Sequence, residues 1–592
     1  MLRELVEYAE RHGLNVTPGL KSKSCDYVIV LTDDGRFVDV TKEERVFGVC
    51  PHLEQPELVS GSSTKSQFLL DKLSTVTCYK AKGKDEEKHD YFVYLLKEAS
   101  VIEPMLLKCA QVVEDKEQLE LINEKLSLLK AKATDSVTFR VGSVYPVELT
   151  TWHEWWNEYR AFLKSQKPAA KRAKEADSQA MICLMSGRLT VPEKTHPKVN
   201  LASVGGQSTG SSLISFDKDA FRSYDLDQSW NAACSPESTA AYTSALSHLT
   251  ENSRLRVGNN LIVYWYKEQV SKEYDLLDLD AFGDDDEVSA TQQVRKILED
   301  LREGNLPSLV HNMYYIMQIS ANGGRIMVRD WLFGDFSELI ENIHKWFEDT
   351  QIVGSYGTGL RGGFKFSAAV LRLVPYRPQE KNPLETLSRA SDTVPMVVSN
   401  LYRSIVTGTS FPDNLASSTL AHIRSKVYRN DSDRRSANLD DISCALLKAW
   451  LVRNRKDNGG VGVDVGLNPN HPAAAYQVGR LMAVLDDIQY SALGDVGADV
   501  VQKFYATAST APALVVGRIV KMAQYHLGKL SPGLAYYYEK TLAEIFSKIT
   551  DVPKTLSLEE QALFALGFYQ QKAELLKGKV QNKKETEQKE EE

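Results

Sequence analysis

Two glycine-rich runs, eleven histidines and one acidic stretch are where this 592-residue chain could do chemistry. The run GSYGTGLRGG sets Gly357, Gly359 and Gly362 in the GxGxxG spacing that brings a dinucleotide pyrophosphate against a strand-to-helix turn. The segment before it, FSELIENIHKWFEDT, has helical periodicity instead, so the run reads as a glycine-rich surface loop. The second run, GGQSTGSSL from Gly205 to Leu213, lacks the Gly-Lys-Ser/Thr of a triphosphate loop. Its Gln207, Ser208, Ser211 and Ser212 could offer amide, hydroxyl and backbone N–H groups to a phosphate backbone or to base edges, since small residues leave room. A structural turn explains the same residues, and both readings stay open.

The acidic stretch DLLDLDAFGDDDE, Asp275 to Glu287, fails as a calcium loop. Counted from Asp278, Phe282 stands fifth and Ser289 twelfth, where an oxygen ligand and a bidentate Glu are needed, so it reads as a solvated loop. No HExxH occurs. His89-Asp90 closes the charged run KDEEKHD and reads as a solvated turn, and His196, before Pro197, as a residue that fixes a turn. Seven cysteines are odd in number and scattered, which indicates neither a disulfide framework nor a zinc site; they read mostly as buried thiols. No metal, no cofactor and no catalytic set is expected.

The elements that must position such groups fall into two kinds. LRELVEYAERHG is an amphipathic helix, CDYVIVLTDDGRFVDVTKEERVFGV a strand, Asp-Asp-Gly turn and strand, and MYYIMQISANGGRIMVRDWLFG the strongest hairpin signal. Helical spacing covers Ile102 to Lys132, TTWHEWWNEYRAFL and Pro236 to Thr250. From about Leu384 onward the pattern is almost entirely helical, broken at Pro412 and Pro472. The expected fold is therefore a multidomain α+β N-terminal part with mixed or antiparallel sheets, followed by an all-α C-terminal helical bundle. Domains are expected over 1–165, 180–380 and 385–575, with a basic polar linker at Lys164 to Gln179 and a disordered charged tail over 576–592.

A 43% hydrophobic chain of this length holds several cores, roughly three to five by size. No run of about 18 apolar residues occurs and the start does not look like a signal peptide, so a cytoplasmic protein with no membrane partner is expected. The net charge is −8, yet Leu401 to Gly460 carries ten Lys and Arg against six Asp, a local balance that suits a docked polyanion. Near the start, Lys21, Lys23, Lys65, Gln67 and Lys72 lie on loops beside strands and could hold phosphates or read base-edge acceptors, with solvated loops as the plainer reading.

Several segments together resemble one family, the large subunit of type I-C CRISPR Cascade complexes. They are CLMSG with HPKV, GQSTGSSLISFDKDAFRSY, AAYTSALSHL, ISANGGRIMVRDW, SIVTGTSFPDNLASSTLAHIRSKVYR, AYQVGRLMAVLDDIQYSALGD, FYATASTAP, AQYHLGKL and LSLEEQALFALGFYQQ, in collinear order over most of the chain. Where the family usually has Asn before the Phe-Leu of its early loop this chain has Gln67, and an Asp-Asn pair becomes Asp71-Lys72.

The resemblance implies a non-catalytic subunit of an RNA-guided surveillance complex. Such a subunit recognises a short protospacer-adjacent motif on duplex DNA, helps open the duplex, holds the displaced strand and recruits a helicase-nuclease. Its partners would be the backbone and guide-processing subunits, CRISPR RNA, target DNA and a small subunit. The region from about Asn470, 470–592, resembles that small subunit, which such operons can also make by internal translation. On this reading Lys21, Lys23, Lys65, Gln67, Lys72 and the Gln207 to Ser212 loop approach the duplex. Arg424, Lys426, Arg429, Arg453, Arg455, Arg480, Lys503 and Arg518 meet the displaced strand. A scaffold subunit without sequence readout is the alternative.

Overall fold

Gly35 adopts a left-handed φ of 90° in the Asp-Asp-Gly turn, and there the chain reverses from β1 (Leu20–Leu31) into β2 (Phe37–Pro51). The two pair antiparallel, with Leu20 opposite Pro51 and Leu31 opposite Phe37. In this computed structural model the described residues are all but 15–18, 54–63, 166–179, 222–223, 227, 253–254, 280–286, 304–305, 307–308, 310, 358, 381, 429–438, 455–461, 495, 497–498 and 592. The backbone alone is described at 164–165, 219, 287–291, 428 and 578–591.

The described residues form two compact units, Met1–Asn252 with Ser320–Met327, and Ser253–Ile319 with Val328–Glu592. In the first, a four-stranded sheet runs β2-β1-β4-β3, with β3 at Asp71–Lys72 and β4 at Ser136–Val141. β4 lies parallel to β1 and antiparallel to β3, so this sheet is mixed. The core between sheet and helices gathers Val28, Ile29, Phe68, Phe92, Leu96, Val113, Phe139 and Trp156.

The run KDEEKHD, expected as a turn, instead opens a helix, Asp85–Ala99. Its first turn carries Asp85, Glu86 and Glu87, where carboxylates meet the positive end of the helix dipole. His89, expected in solvent, is buried, and its Nδ1 donates to the Thr75 carbonyl at 3.1 Å. Helical spacing over 102–132 resolves into Met105–Glu114 and Lys116–Leu128, because the Asp115 carboxylate caps the second helix by accepting the N–H groups of Glu117 and Gln118.

The second unit holds a sheet in the order β8-β7-β6-β5, built from β5 (Leu255–Val257), β6 (Asn260–Tyr266), β7 (Met313–Asn322) and β8 (Arg325–Asp335). Gly323, at φ 58°, turns the β7–β8 hairpin where the Asn-Gly-Gly signal lies, and the tip, Ser320–Met327, belongs to the first unit.

Helices then follow one another. Proline opens Pro383–Thr393, Pro395–Thr407 and Pro532–Phe546 at the position whose missing N–H costs nothing. The helices Ala474–Leu493 and Leu558–Glu591 pack backbone against backbone, since a Cβ on Gly479 would collide with the Phe564 carbonyl and one on Gly567 with the Tyr476 carbonyl.

The last helix runs to Glu591 through a stretch whose Lys, Gln and Glu favour helix. Asp275 is not solvated: its carboxylate accepts the hydroxyls of Tyr264 at 3.1 Å and Tyr266 at 2.9 Å, and burial raises its pKa. Most of the rest of that stretch, 280–286, lies outside the described residues. The GxGxxG run, expected as a surface loop, contains a two-residue strand, Leu360–Arg361, paired antiparallel with Ile352–Val353. Gly357 in it packs so closely on the last helix that a Cβ would meet the Ala573 carbonyl.

Candidate nucleic-acid interface

β1 sets Lys21 opposite Cys50 and Lys23 opposite Phe47. Lys21 is exposed, whereas Lys23 is half-buried and its Nζ donates to the Pro51 carbonyl at 2.7 Å. Burial pushes the Lys23 ammonium down to about 8, against the pull of the Asp71 carboxylate. His52, one residue past β2, is held well below the ordinary histidine range by burial and then by Lys23, Lys21 and Arg160. Three cations thus converge on a neutral imidazole.

Arg160 and His52 were missed in the sequence. Arg160 comes from the aromatic helix His153–Ser165 and is 4% exposed. Gly19, at φ 91°, is the surface it lies against: any Cβ there would collide with the guanidinium, and the Gly19 carbonyl accepts the Trp156 Nε1–H at 2.7 Å. The basic residue in an otherwise aromatic helix was the available signal.

Beside this cluster, residues 67–72 form a strained turn. Leu69 stands at φ 59°, which a bulky side chain rarely adopts, and its carbonyl accepts the Thr138 hydroxyl at 2.8 Å. Phe68 packs within 6 Å of Trp152, Trp155 and Trp156. Asp71 accepts the backbone N–H of Gln67 at 2.7 Å and of Lys72 at 2.8 Å. The Gln67 carboxamide is engaged at both ends, Oε1 accepting the Leu53 N–H at 2.8 Å and Nε2 donating to the Leu53 carbonyl at 3.4 Å. Gln67, expected to read a base, holds the chain at Leu53 through these two bonds. Lys72 is exposed and Lys65 half-buried.

The Gly205–Leu213 loop divides in two. Ser211 and Ser212 are buried: the Ser211 hydroxyl donates to the Gly323 carbonyl at 2.8 Å, and the Ser212 N–H to the Gly324 carbonyl at 2.8 Å. These two, expected to approach DNA, bind the hairpin tip. Gln207 and Ser208 remain exposed at the turn that the Gly210 N–H closes onto the Gln207 carbonyl.

In the helical half, cations clustered in sequence are largely consumed inside. Arg453 pairs with Asp349 at 2.6 Å, donates to the carbonyls of Ser404 and Thr409, and covers the Phe411 ring. Arg480, 2% exposed, donates to Gln571, Pro469 and Gln477 and pairs with Glu544 at 3.1 Å. Both were expected to touch a displaced strand, and both are buried with these partners. Arg424 is half-buried and bridges helices through Ser509 and Gln561, and Lys426 is half-buried against Asp440 at 3.5 Å. Arg429 and Arg455 lie outside the described residues.

Lys503 and Arg518 are exposed. The Arg518 guanidinium lies 5.5 Å from the Phe504 ring, and Lys521 and the 70% exposed Tyr525 follow it at i+3 and i+7, on one face of the helix Val516–Leu527. Cations beside an exposed ring are what a single strand uses, phosphates on the charge and bases on the ring. The sequence reasoning had not picked out Lys521 or Tyr525.

A mixed-sheet α+β part followed by a mostly helical C-terminal region defines the class of fold, and among the described residues no helix is long and apolar enough to cross a membrane. The model of the CRISPR-associated protein family Cas_Csd1 matches residues 4–576, and the chain belongs to that family. No curated protein matches it.

Proposed function

We propose that the chain is the non-catalytic large subunit of a type I-C Cascade, which recognises the protospacer-adjacent motif on duplex DNA, promotes R-loop formation, steadies the displaced strand and recruits a helicase-nuclease. The observation that carries this reading is the end-to-end match to a CRISPR-associated family over residues 4–576. The exposed groups agree with it: Lys21, Lys72, Gln207 and Ser208 in the first unit, Lys503 and Arg518 in the second. Guide pairing carries the long sequence information, so protein need supply only a short duplex contact and a basic path. Partners on this reading are the backbone and guide-processing subunits, CRISPR RNA, target DNA and a small subunit related to 470–592.

The test is binding of duplexes with randomised flanks to a guide-loaded complex assembled with and without this chain, followed by sequencing of the bound fraction. Enrichment of one short flank only when the chain is present supports motif reading. Guide-dependent binding without flank preference reduces the chain to a scaffold.

A further inference from the structure

All seven cysteines are free thiols, and burial raises six of them: Cys25, Cys50, Cys78, Cys109, Cys234 and Cys444. Cys183 is the exception. It closes a tight turn between the strands Met181–Ile182 and Leu189–Thr190, accepting the Gly187 N–H at 2.9 Å on its carbonyl and donating its own N–H to the Arg188 carbonyl at 2.9 Å. Its Sγ accepts the backbone N–H of Ser235 at 3.3 Å and lies 3.8 Å from Ser238 Oγ, at the N-terminus of the 17-residue helix Pro236–Asn252. Burial works to raise this thiol too, but the hydroxyl and N–H of Ser186 and the N–H groups of Ser235 and Met185 outweigh it and bring it down to about 6.

Cys234 stands between two residues bonded to this turn. The Leu184 N–H donates to the Ala233 carbonyl at 2.8 Å, and the Ser235 N–H ends on the Cys183 sulfur. The residues on either side of Cys234 are thus bonded to Cys183 or its neighbour. Backbone geometry then puts the Cys183 sulfur within about 6 Å of the Cys234 Cα, and the charge of Cys183 is among the causes that raise the Cys234 thiol. Cys183 is buried, but Ile182 and Leu184 beside it are 67% exposed, so the sulfur sits just beneath the surface.

We propose that Cys183 and Cys234 are an oxidisable pair that hydrogen peroxide converts into a disulfide. The Cys183 thiolate attacks one peroxide oxygen, the O–O bond breaks, and the departing hydroxide leaves as water with a solvent proton, giving a sulfenic acid. The Cys234 sulfur attacks the Cys183 sulfur, the S–O bond breaks, and hydroxide leaves as water with the Cys234 proton. Two thiols lose two electrons and one peroxide becomes two waters. The bridge ties the exposed turn at Cys183–Gly187 to the start of the helix behind it.

Full-length protein is treated with hydrogen peroxide, alkylated and mapped by peptide mass spectrometry without reductant. One cross-linked pair joining the peptides of Cys183 and Cys234 is expected, with Cys183 oxidised about tenfold faster than Cys25 or Cys109. In Cys234→Ser, oxidation should stop at a Cys183 sulfenic acid that dimedone captures. A bridge elsewhere, equal oxidation of all thiols, or no dimedone adduct in a Cys234→Ser protein with unchanged circular dichroism overturns the proposal. The wild-type map needs no variant, so a failure of Cys234→Ser to fold leaves the test standing.

Discussion

Arg453 is 5% exposed and its three acceptors, Asp349, Ser404 and Thr409, all lie inside the second unit. Removing one partner of such a pair strands a charge without water. Arg453→Met should therefore cost about 3 to 5 kcal/mol of stability in urea unfolding, whereas Arg518→Met on the surface should stay within about 0.5 kcal/mol. Equal small losses would put the Arg453 guanidinium in solvent. Lys23 gives a pH signature instead. Its pKa falls from 10.5 to about 8 on folding, so between those values the unfolded chain binds more protons and stability rises with pH. The penalty is fully present below pH 8. Lys23→Met should remove this increment, seen as a wild-type minus variant difference in melting temperature that grows from pH 7.5 to pH 10. A flat difference would mean that Lys23 is not desolvated.

Elements were more legible than sites, and the reason is physical. The hairpin at Gly35, the hairpin at Gly323–Gly324 and the proline-punctuated helices rest on backbone rules acting over a few residues, which sequence displays directly. The Asp85–Ala99 helix was misread as a turn because a carboxylate run suits both a loop and a helix N-terminus, and only the packing of Phe92 and Leu96 beyond it decides. Site residues depend on partners far along the chain: Arg480 finds Gln571 and Gln67 finds Leu53, distances that no local pattern reveals. The crossing of Ala474–Leu493 and Leu558–Glu591 belongs to the same order of fact. It requires Gly479 and Gly567 to lie bare against opposing backbone, so Gly479→Ala and Gly567→Ala should each cost about 1 to 3 kcal/mol through overpacking. Gly517→Ala, with open space around it, should be nearly neutral or slightly stabilising in the same unfolding assay. Neutral outcomes at Gly479 and Gly567 would show that these two helices are not in backbone contact.

At the scale of the whole molecule the question is how a chain of net charge −8 presents a path to a polyanion. The ten cations between Leu401 and Gly460 look like that path in sequence, yet Arg403, Lys426 and Arg453 are paired with Asp330, Asp440 and Asp349, and Lys448 is buried on the Asp349 carbonyl. Charge counted along a chain overstates charge at a surface wherever carboxylates fold in beside the cations. Outward-facing cations of the helical half include Lys503, Arg518 and Lys521, the last two on the helix that also carries the exposed Tyr525 ring. If these hold a displaced strand, each lost contact should lower the slope of log K against log salt by about 0.7 on single-stranded DNA. The double variant Lys503→Ala, Arg518→Ala should therefore flatten the slope by about 1.4 in the guide-loaded complex. Tyr525→Ala should weaken binding by about 1 to 3 kcal/mol, since the ring gives a base its stacking partner and carries no charge. It should leave the slope unchanged. Arg480→Gln should leave it unchanged as well, because its charge is already spent on Glu544. A slope that falls with Arg480→Gln and not with the double variant would move the path to a different face of the helices.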